Sequence, residues 1–364
     1  MQNVNITEWD IQDFQQAKDA WTDLLVRSDA DPLFMSWEWL HTWWEVFSEP
    51  SMQLKIFAAS DDTNRLIGLA PLYLSKTTTK KIITSRRLQI IGNCWRGKST
   101  MKTELMSFIA DRDNAKQIIL SLFQHINEQN DWDELVLSDL PKNSSTYQLL
   151  STQQVLPNCY TRNAEEYDSF YIKTACAFEA YLKQLGKNTR LRIYNRRKIL
   201  EKLGTVQFEI NGEDEITTKL NLLNELHSKR WGNAIFTGKS LAFNQKVAEL
   251  MAKRDALCFS TISLNGKPLS IQYNYQINGH KYNIQSGFNP DVHKKIALGY
   301  LHFGYEIENS CNSETFAYDM LAGDGQNSSY KDRLTSDHIQ IINIQIIRSP
   351  LIKFLYRMYN SFSK

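Results

Sequence analysis

The sequence predicts an α/β protein of two similar halves, each a mixed, mostly antiparallel sheet flanked by helices. Three observations carry this prediction. The order helix, helix, several strands, helix, strand occurs twice along the chain. Asn265-Gly266 stands between two alternating apolar runs, the strongest short signal for a β-hairpin. The 364 residues, 42% apolar and 23% charged, suffice for two domains with cores of ordinary size.

In the first half, Phe14, Ala17, Trp21, Leu24 and Leu25 recur at helical spacing and predict a helix over 11–27. Asp31-Pro32 starts a second helix over 33–46. Its tryptophans Trp37, Trp39, Trp43 and Trp44 point in two directions, so one set is core and the other packs between the halves or offers an acceptor platform. Strand-like runs follow at 54–59, 66–74 and 87–91. Residues 114–130 place Ile118, Ile119, Leu122, Phe123 and Ile126 on one helix face, and 134–137 is a short apolar strand. The second half predicts a strand over 170–173, a helix over 177–185, a strongly basic helix over 190–203 and a strand over 206–210. Helices over 217–231 and 243–254 precede strands 258–264, 269–277 and 282–288; helix 296–309 and strand 315–320 complete the cycle. The polar stretch 157–166 reads as the boundary, giving domains 1–160 and 161–364.

A net charge of +2 is too small for general nucleic-acid binding. Residues 1–10 lack the basic start and apolar run of a secretory signal. No stretch approaches the roughly 18 continuous apolar residues of a membrane span. Five scattered cysteines suit reduced thiols and a cytoplasmic protein. The seven histidines stand apart from one another and from the cysteines, so no metal site is expected. Aromatics are plentiful, and such surface lines cores as well as grooves for sugars, peptides or cofactors.

Several stretches occur in a telling order: FMSWEWL at 34–40 with Trp43-Trp44, LIGLAPLY at 66–73, and WDELVL at 132–137 ending at Leu140-Pro141. The second half adds Arg190-Leu191-Arg192 with Arg196-Arg197, LHSKRWG at 226–232, GFNP at 287–290, Gly323-Asp324 and Tyr330-Lys331. This colinear set, over residues 5–335, resembles the bacterial double-GNAT acetyltransferases of the cellulose-biosynthesis (CelD-like) type, a group related in fold to the Fem aminoacyltransferases. The resemblance implies two tandem GNAT-like folds. It also implies transfer of an acyl group from acetyl-CoA or another acyl-CoA to an amine on a small molecule, sugar or glycan precursor. The Fem relationship leaves aminoacyl-tRNA as the one nucleic-acid partner to consider.

GNAT folds bind the donor's pyrophosphate at a Q/R-x-x-G-x-G/A loop between a strand and a helix start, where free amides and the helix dipole favour an anion. The similar stretch here is Lys294 to Gly299, in the turn after the strand that ends at Phe288. Lys294 stands for the Gln or Arg and Ala297 for the first glycine, followed by Leu298 and Gly299; Lys295 adds a charge. An ordinary turn with solvated lysines is the competing reading. For the chemistry the resemblance points to Asp319, Asp324 and Tyr330, the tyrosine as proton donor to the departing thiolate. His227, Arg230 and Trp231 share a helix face and suit an anionic substrate group, Arg230 through its fork; a packed core edge is the plainer alternative. Trp37 joins them as a substrate-binding candidate. The second half is then catalytic and the first architectural or acceptor-binding.

Two segments suit other partners. Lys187, Arg190, Arg192, Arg196, Arg197, Lys198 and Lys202 face a lone Glu201 and suit a polyanion. The basic, apolar run 351–362 fits either peripheral contact with an anionic membrane or docking on its own domain. One motif competes with the whole reading: GNCWRGKS at 92–99 matches the Walker A pattern, with Lys98 and Ser99 in the phosphate and Mg²⁺ positions. A non-catalytic binding scaffold is the third possibility.

Overall fold

The computed structural model describes residues 4–79, 83–152, 155–212, 215–322 and 330–362. The chain forms two compact units, Met1–Tyr167 with Gln340–Lys364, and Asp168–Ile339.

In the first unit β1 (Asn5–Trp9), β2 (Gln53–Ser60), β3 (Leu66–Thr79) and β4 (Ile83–Ile90) pair antiparallel in succession. The short β5 (Ile109–Ala110) adds to β3, and β6 (Glu134–Pro141) lies parallel to β4. Around this sheet run α1 (Ile11–Gln16), α2 (Lys18–Arg27), α3 (Trp37–Phe47), α4 (Ala115–Glu128) and α5 (Ser145–Thr152). The single helix expected over 11–27 is two. Asp10 caps α1 through the amides of Gln12 and Asp13, and Ala17 ends α1 and begins α2. Ser36 caps α3 through Trp39 N, so the residues after Asp31-Pro32 form turns first. Trp21, Trp39 and Trp43 are fully buried here.

In the second unit β7 (Tyr160–Lys173) contributes its later residues, followed by β8 (Val206–Asn211), β9 (Leu257–Leu264), β10 (Lys267–Ile277), β11 (His280–Phe288) and β12 (Ala317–Asp319). β8 to β11 are antiparallel neighbours, β12 is parallel to β11, and β7 is antiparallel to β12. Both units therefore repeat one pattern: a four-stranded antiparallel run and then a parallel partner. Asn265 (φ 50°) and Gly266 (φ 75°) make the predicted hairpin turn, both left-handed as a type I′ turn requires. The helices are α6 (Phe178–Gln184), α7 (Lys187–Arg190), α8 (Arg197–Glu201), α9 (Ile216–Trp231), α10 (Gly238–Ala252) and α11 (Leu298–Cys311). The basic helix expected over 190–203 is broken into α7, a π-helical turn (Leu191–Asn195) and α8. Gly304 of α11 allows this turn to sit against it. A Cβ there would stand 1.9 Å from Ile193 O.

Two boundary expectations are corrected. Residues 157–166 are no linker, because most of them enter β7, and the units divide within that strand. The end of the chain, assigned by sequence to domain 161–364, clusters with the first unit. Its strand β13 (His338–Ile347), which was not predicted, pairs antiparallel with β6, and α12 (Pro350–Phe362) follows.

Candidate functional site

In the second unit β11 and β12 part, among the described residues, after a short pairing. Their parallel pairing covers only His280↔Ala317, Lys281↔Tyr318 and Tyr282↔Asp319, while β11 runs on to Phe288. From Asn283 onward that edge of β11 has no strand partner among the described residues. Beyond β12, Leu321 takes a left-handed φ of 59°, a conformation that costs a branched residue energy and must be held by its surroundings. Asp319 and Lys331 hold it. Asp319 accepts Leu321 N at 2.6 Å, and Lys331 Nζ donates to the carbonyls of Met320 (2.7 Å) and Leu321 (2.6 Å).

At the far end of β11 the chain turns into α11. Its N-cap, Ala297, provides no side-chain cap, and the first helical bond is Leu301 N to Ala297 O at 3.0 Å. The amides of Leu298, Gly299 and Tyr300 consequently donate to nothing among the described residues. Gly299 lets the ring of Phe288 rest on this first turn, where a Cβ would come within 2.7 Å of it. Over Phe288 lies Arg230 from the last turn of α9, its Cζ 4.5 Å from that ring and 4.5 Å from Trp231. Arg192 lies 5.6 Å over Tyr300. Neither arginine has a carboxylate partner among the described residues. Lys294 and Lys295 are exposed on the approach to the helix. The start of α11 thus combines free amides and the helix dipole with neighbouring cations that have no carboxylate partner among the described residues, a combination that favours an anion.

Tyr330 packs against Tyr300 (5.9 Å) and Phe303 (6.0 Å). Burial and the neighbouring Tyr300 push its phenol up to about 12, against the pull of Arg230. It therefore holds a proton at neutral pH. The adjacent Lys331 is buried, 4% exposed. Asp319 is 0% exposed, with its second oxygen 3.3 Å from His280 Nε2, so it shapes the strand end and faces no open water. Asp324 lies outside the described residues.

The helix-face trio divides. Arg230 and Trp231 stand at the opening, whereas His227 is buried with Nδ1 2.8 Å from Asn233 O and secures the loop after α9. Trp37 belongs to the first unit as a packing residue; its Nε1 donates to Phe14 O (2.7 Å) and its ring stacks on His41 at 4.3 Å.

Sequence reasoning missed the layer beneath the opening. Between α11 and the sheet lie Ser270, Gln272 and Asn274 of β10, Lys281 and Asn283 of β11, and Tyr318 of β12, all buried. Glu306 accepts from Asn274 and from Lys281, each at 3.0 Å. Burial would lower the Lys281 ammonium, but Glu306 overrides it and the net shift is upward. His302 bridges Ser260 (2.9 Å) and Ser270 (2.6 Å), and burial drops its pKa to about 3. The available signal was His302 and Glu306 at i, i+4 on an otherwise apolar helix face.

The Walker A reading is overturned. After β4 the stretch 92–99 leads into no helix, the next one being the short turn Arg112–Asn114 before α4. Lys98 pairs with Glu49. Without a helix start behind the loop, its amides cannot converge on phosphates. In the first unit the space where β4 and β6 diverge is filled by the chain itself. Met106 N donates to Asp139 O (2.9 Å), Thr103 Oγ1 donates to Gly92 O (2.5 Å), and residues 103–108 are all buried.

The second unit thus combines a splayed parallel strand pair with an uncapped helix start. Residues 187–332 match the family described as acetyltransferase (GNAT) domain. Among solved structures, FemX shares the fold at 9% identity and a TM-score of 0.63, with 96% of this chain and 99% of that one covered. A conserved protein of unknown function from Bacteroides thetaiotaomicron is similar at 11% identity and 0.54, covering 95% and 99%. L-PGS from Bacillus licheniformis is similar at 11% and 0.53, covering 91% of each chain. At such identities the likeness is one of fold. No curated protein matches the chain in sequence.

Proposed function

We propose that the chain is an N-acyltransferase that moves an acyl group, acetyl foremost, from acyl-CoA to an amine of a small molecule, sugar or envelope precursor. The start of α11 carries this reading: three free amides, with Arg230, Arg192, Lys294 and Lys295 around them, suit a diphosphate. The donor's thioester arm fits along the open edge of residues 283–288. There an uncharged amine attacks the thioester carbonyl, and the tetrahedral intermediate expels the thiolate as the C–S bond breaks. Tyr330 gives its proton to the thiolate, and the amide nitrogen releases one to a base. Asp324 is the candidate for that base, and Asp319 positions the strand end. The first unit, whose equivalent gap is filled, serves architecture or acceptor binding. The colinear motifs favour the CelD-like double-GNAT group, and a cytoplasmic setting fits the reduced cysteines.

One observation favours a second donor, aminoacyl-tRNA. Lys187, Arg190, Arg192, Arg196, Lys198 and Lys202 have no carboxylate partner among the described residues. Arg197 is excluded from that surface, because it pairs with Glu308 and stacks 3.7 Å over Tyr305. Calorimetric titration with acetyl-CoA, a longer acyl-CoA and aminoacyl-tRNA decides between them. Acyl-CoA binding that weakens about tenfold in Arg230→Gln supports the proposal. Binding of aminoacyl-tRNA alone reassigns the donor, and silence toward all three leaves a scaffold and ends the acyl-transfer reading.

A further inference from the structure

We infer that α12 docks the protein on the surface of an anionic phospholipid bilayer. The helix is apolar on two sides. One side is occupied: Ile352 is 8% exposed. On the other, Leu351 and Phe354 stand 62% and 59% exposed, far from the usual state of large apolar side chains on one turn. Leu355, Met358 and Phe362 follow them at helical spacing in the sequence. A helix of 13 residues spans about 20 Å, too short to cross a bilayer and suited to lying in its interface.

Charge decides what covers this stripe. Residues 338–364 hold Arg348, Lys353, Arg357 and Lys364 and no carboxylate. Arg348 donates to the carbonyls of Asn127 and Gln129, and Lys353 donates to Asn158 O. Arg162 of β7 lies 4.5 Å over Tyr356. These three cations have no carboxylate partner among the described residues. A second copy laid helix to helix brings the same cations and no answering acid, so self-association there is repulsive. Anionic headgroups neutralise the cations while acyl chains take up Leu351 and Phe354. The inference is independent of the acyl-transfer reading.

Flotation of the full chain with phosphatidylcholine vesicles, with and without phosphatidylglycerol, tests it. Binding at least tenfold stronger to the phosphatidylglycerol vesicles is expected, weakening as salt rises. Leu351→Asp with Phe354→Asp, both at exposed positions, should cut it at least tenfold while the thermal midpoint holds. Arg357→Glu should cut it several-fold. Equal or absent binding to the two vesicle types overturns the proposal, as does binding that survives the double substitution. A dimer in light scattering that the double substitution dissociates, without vesicle binding, also overturns it and assigns the stripe to a second copy.

Discussion

Tyr330 keeps its proton because its ring packs, half-buried, against Tyr300 and Phe303, and this is the state the proposed general acid needs. Tyr330→Phe should lower kcat by about 100-fold and leave donor affinity within a factor of two, measured by thiol release and calorimetry. With the acid near 12, the wild-type rate should climb as the acceptor amine deprotonates, with no fall due to Tyr330 below roughly pH 11. An alkaline fall near pH 9 that Tyr330→Phe removes contradicts this assignment. At this scale residue type and a strand-to-helix turn single out Arg230, Phe288 and Gly299 from sequence, and the fold places them side by side. His227 and Asp319 were not legible in this way. Each is the right residue type for a site, yet a neighbouring backbone group, Asn233 O or Leu321 N, holds its side chain inward.

Elements carry the next level of consequence. α11 meets the π-helical turn at Gly304, with no space for a methyl group, so Gly304→Ala should cost about 3 kcal/mol or more in urea unfolding. A neutral result shows that the turn can retreat and that Gly304 is dispensable. The same helix carries His302, whose pKa falls from 6.5 to about 3 on burial. A depressed pKa means that the folded state resists a proton the unfolded chain accepts. That stability is complete above pH 6.5 and is lost toward pH 3 at about 1.4 kcal/mol per unit. Between pH 6.5 and pH 5 the wild type should therefore lose about 2 kcal/mol that His302→Gln does not lose, in urea melts at each pH. Parallel slopes for the two proteins refute it. The polar layer around His302 escaped sequence reading for a physical reason. Ser270, Gln272 and Asn274 alternate with apolar residues as in a strand wetted on one face, and alternation cannot tell water from a polar helix face.

At the scale of the molecule, the two units repeat one strand order, but among the described residues only the first has its splayed strands filled by its own chain. The first unit depends on the end of the chain, since β13 covers β6 with buried residues from Ile341 to Ile347. Deleting 338–364 should destabilise the first unit selectively, raising hydrogen exchange in β4 and β6 while β9 to β11 stay protected. Uniform exchange in both units refutes that dependence. Periodicity, hairpin chemistry and colinear motifs were enough to read the α/β class and the repeated order, because these follow from which faces must be apolar and which turns the backbone allows. Which side of a strand meets a helix, which gap is filled and which helix start keeps its amides free depend on contacts between residues far apart in the chain. Met106 against Asp139 closes one gap, and among the described residues no such contact reaches the amides of Leu298 to Tyr300, as the proposed anion site requires.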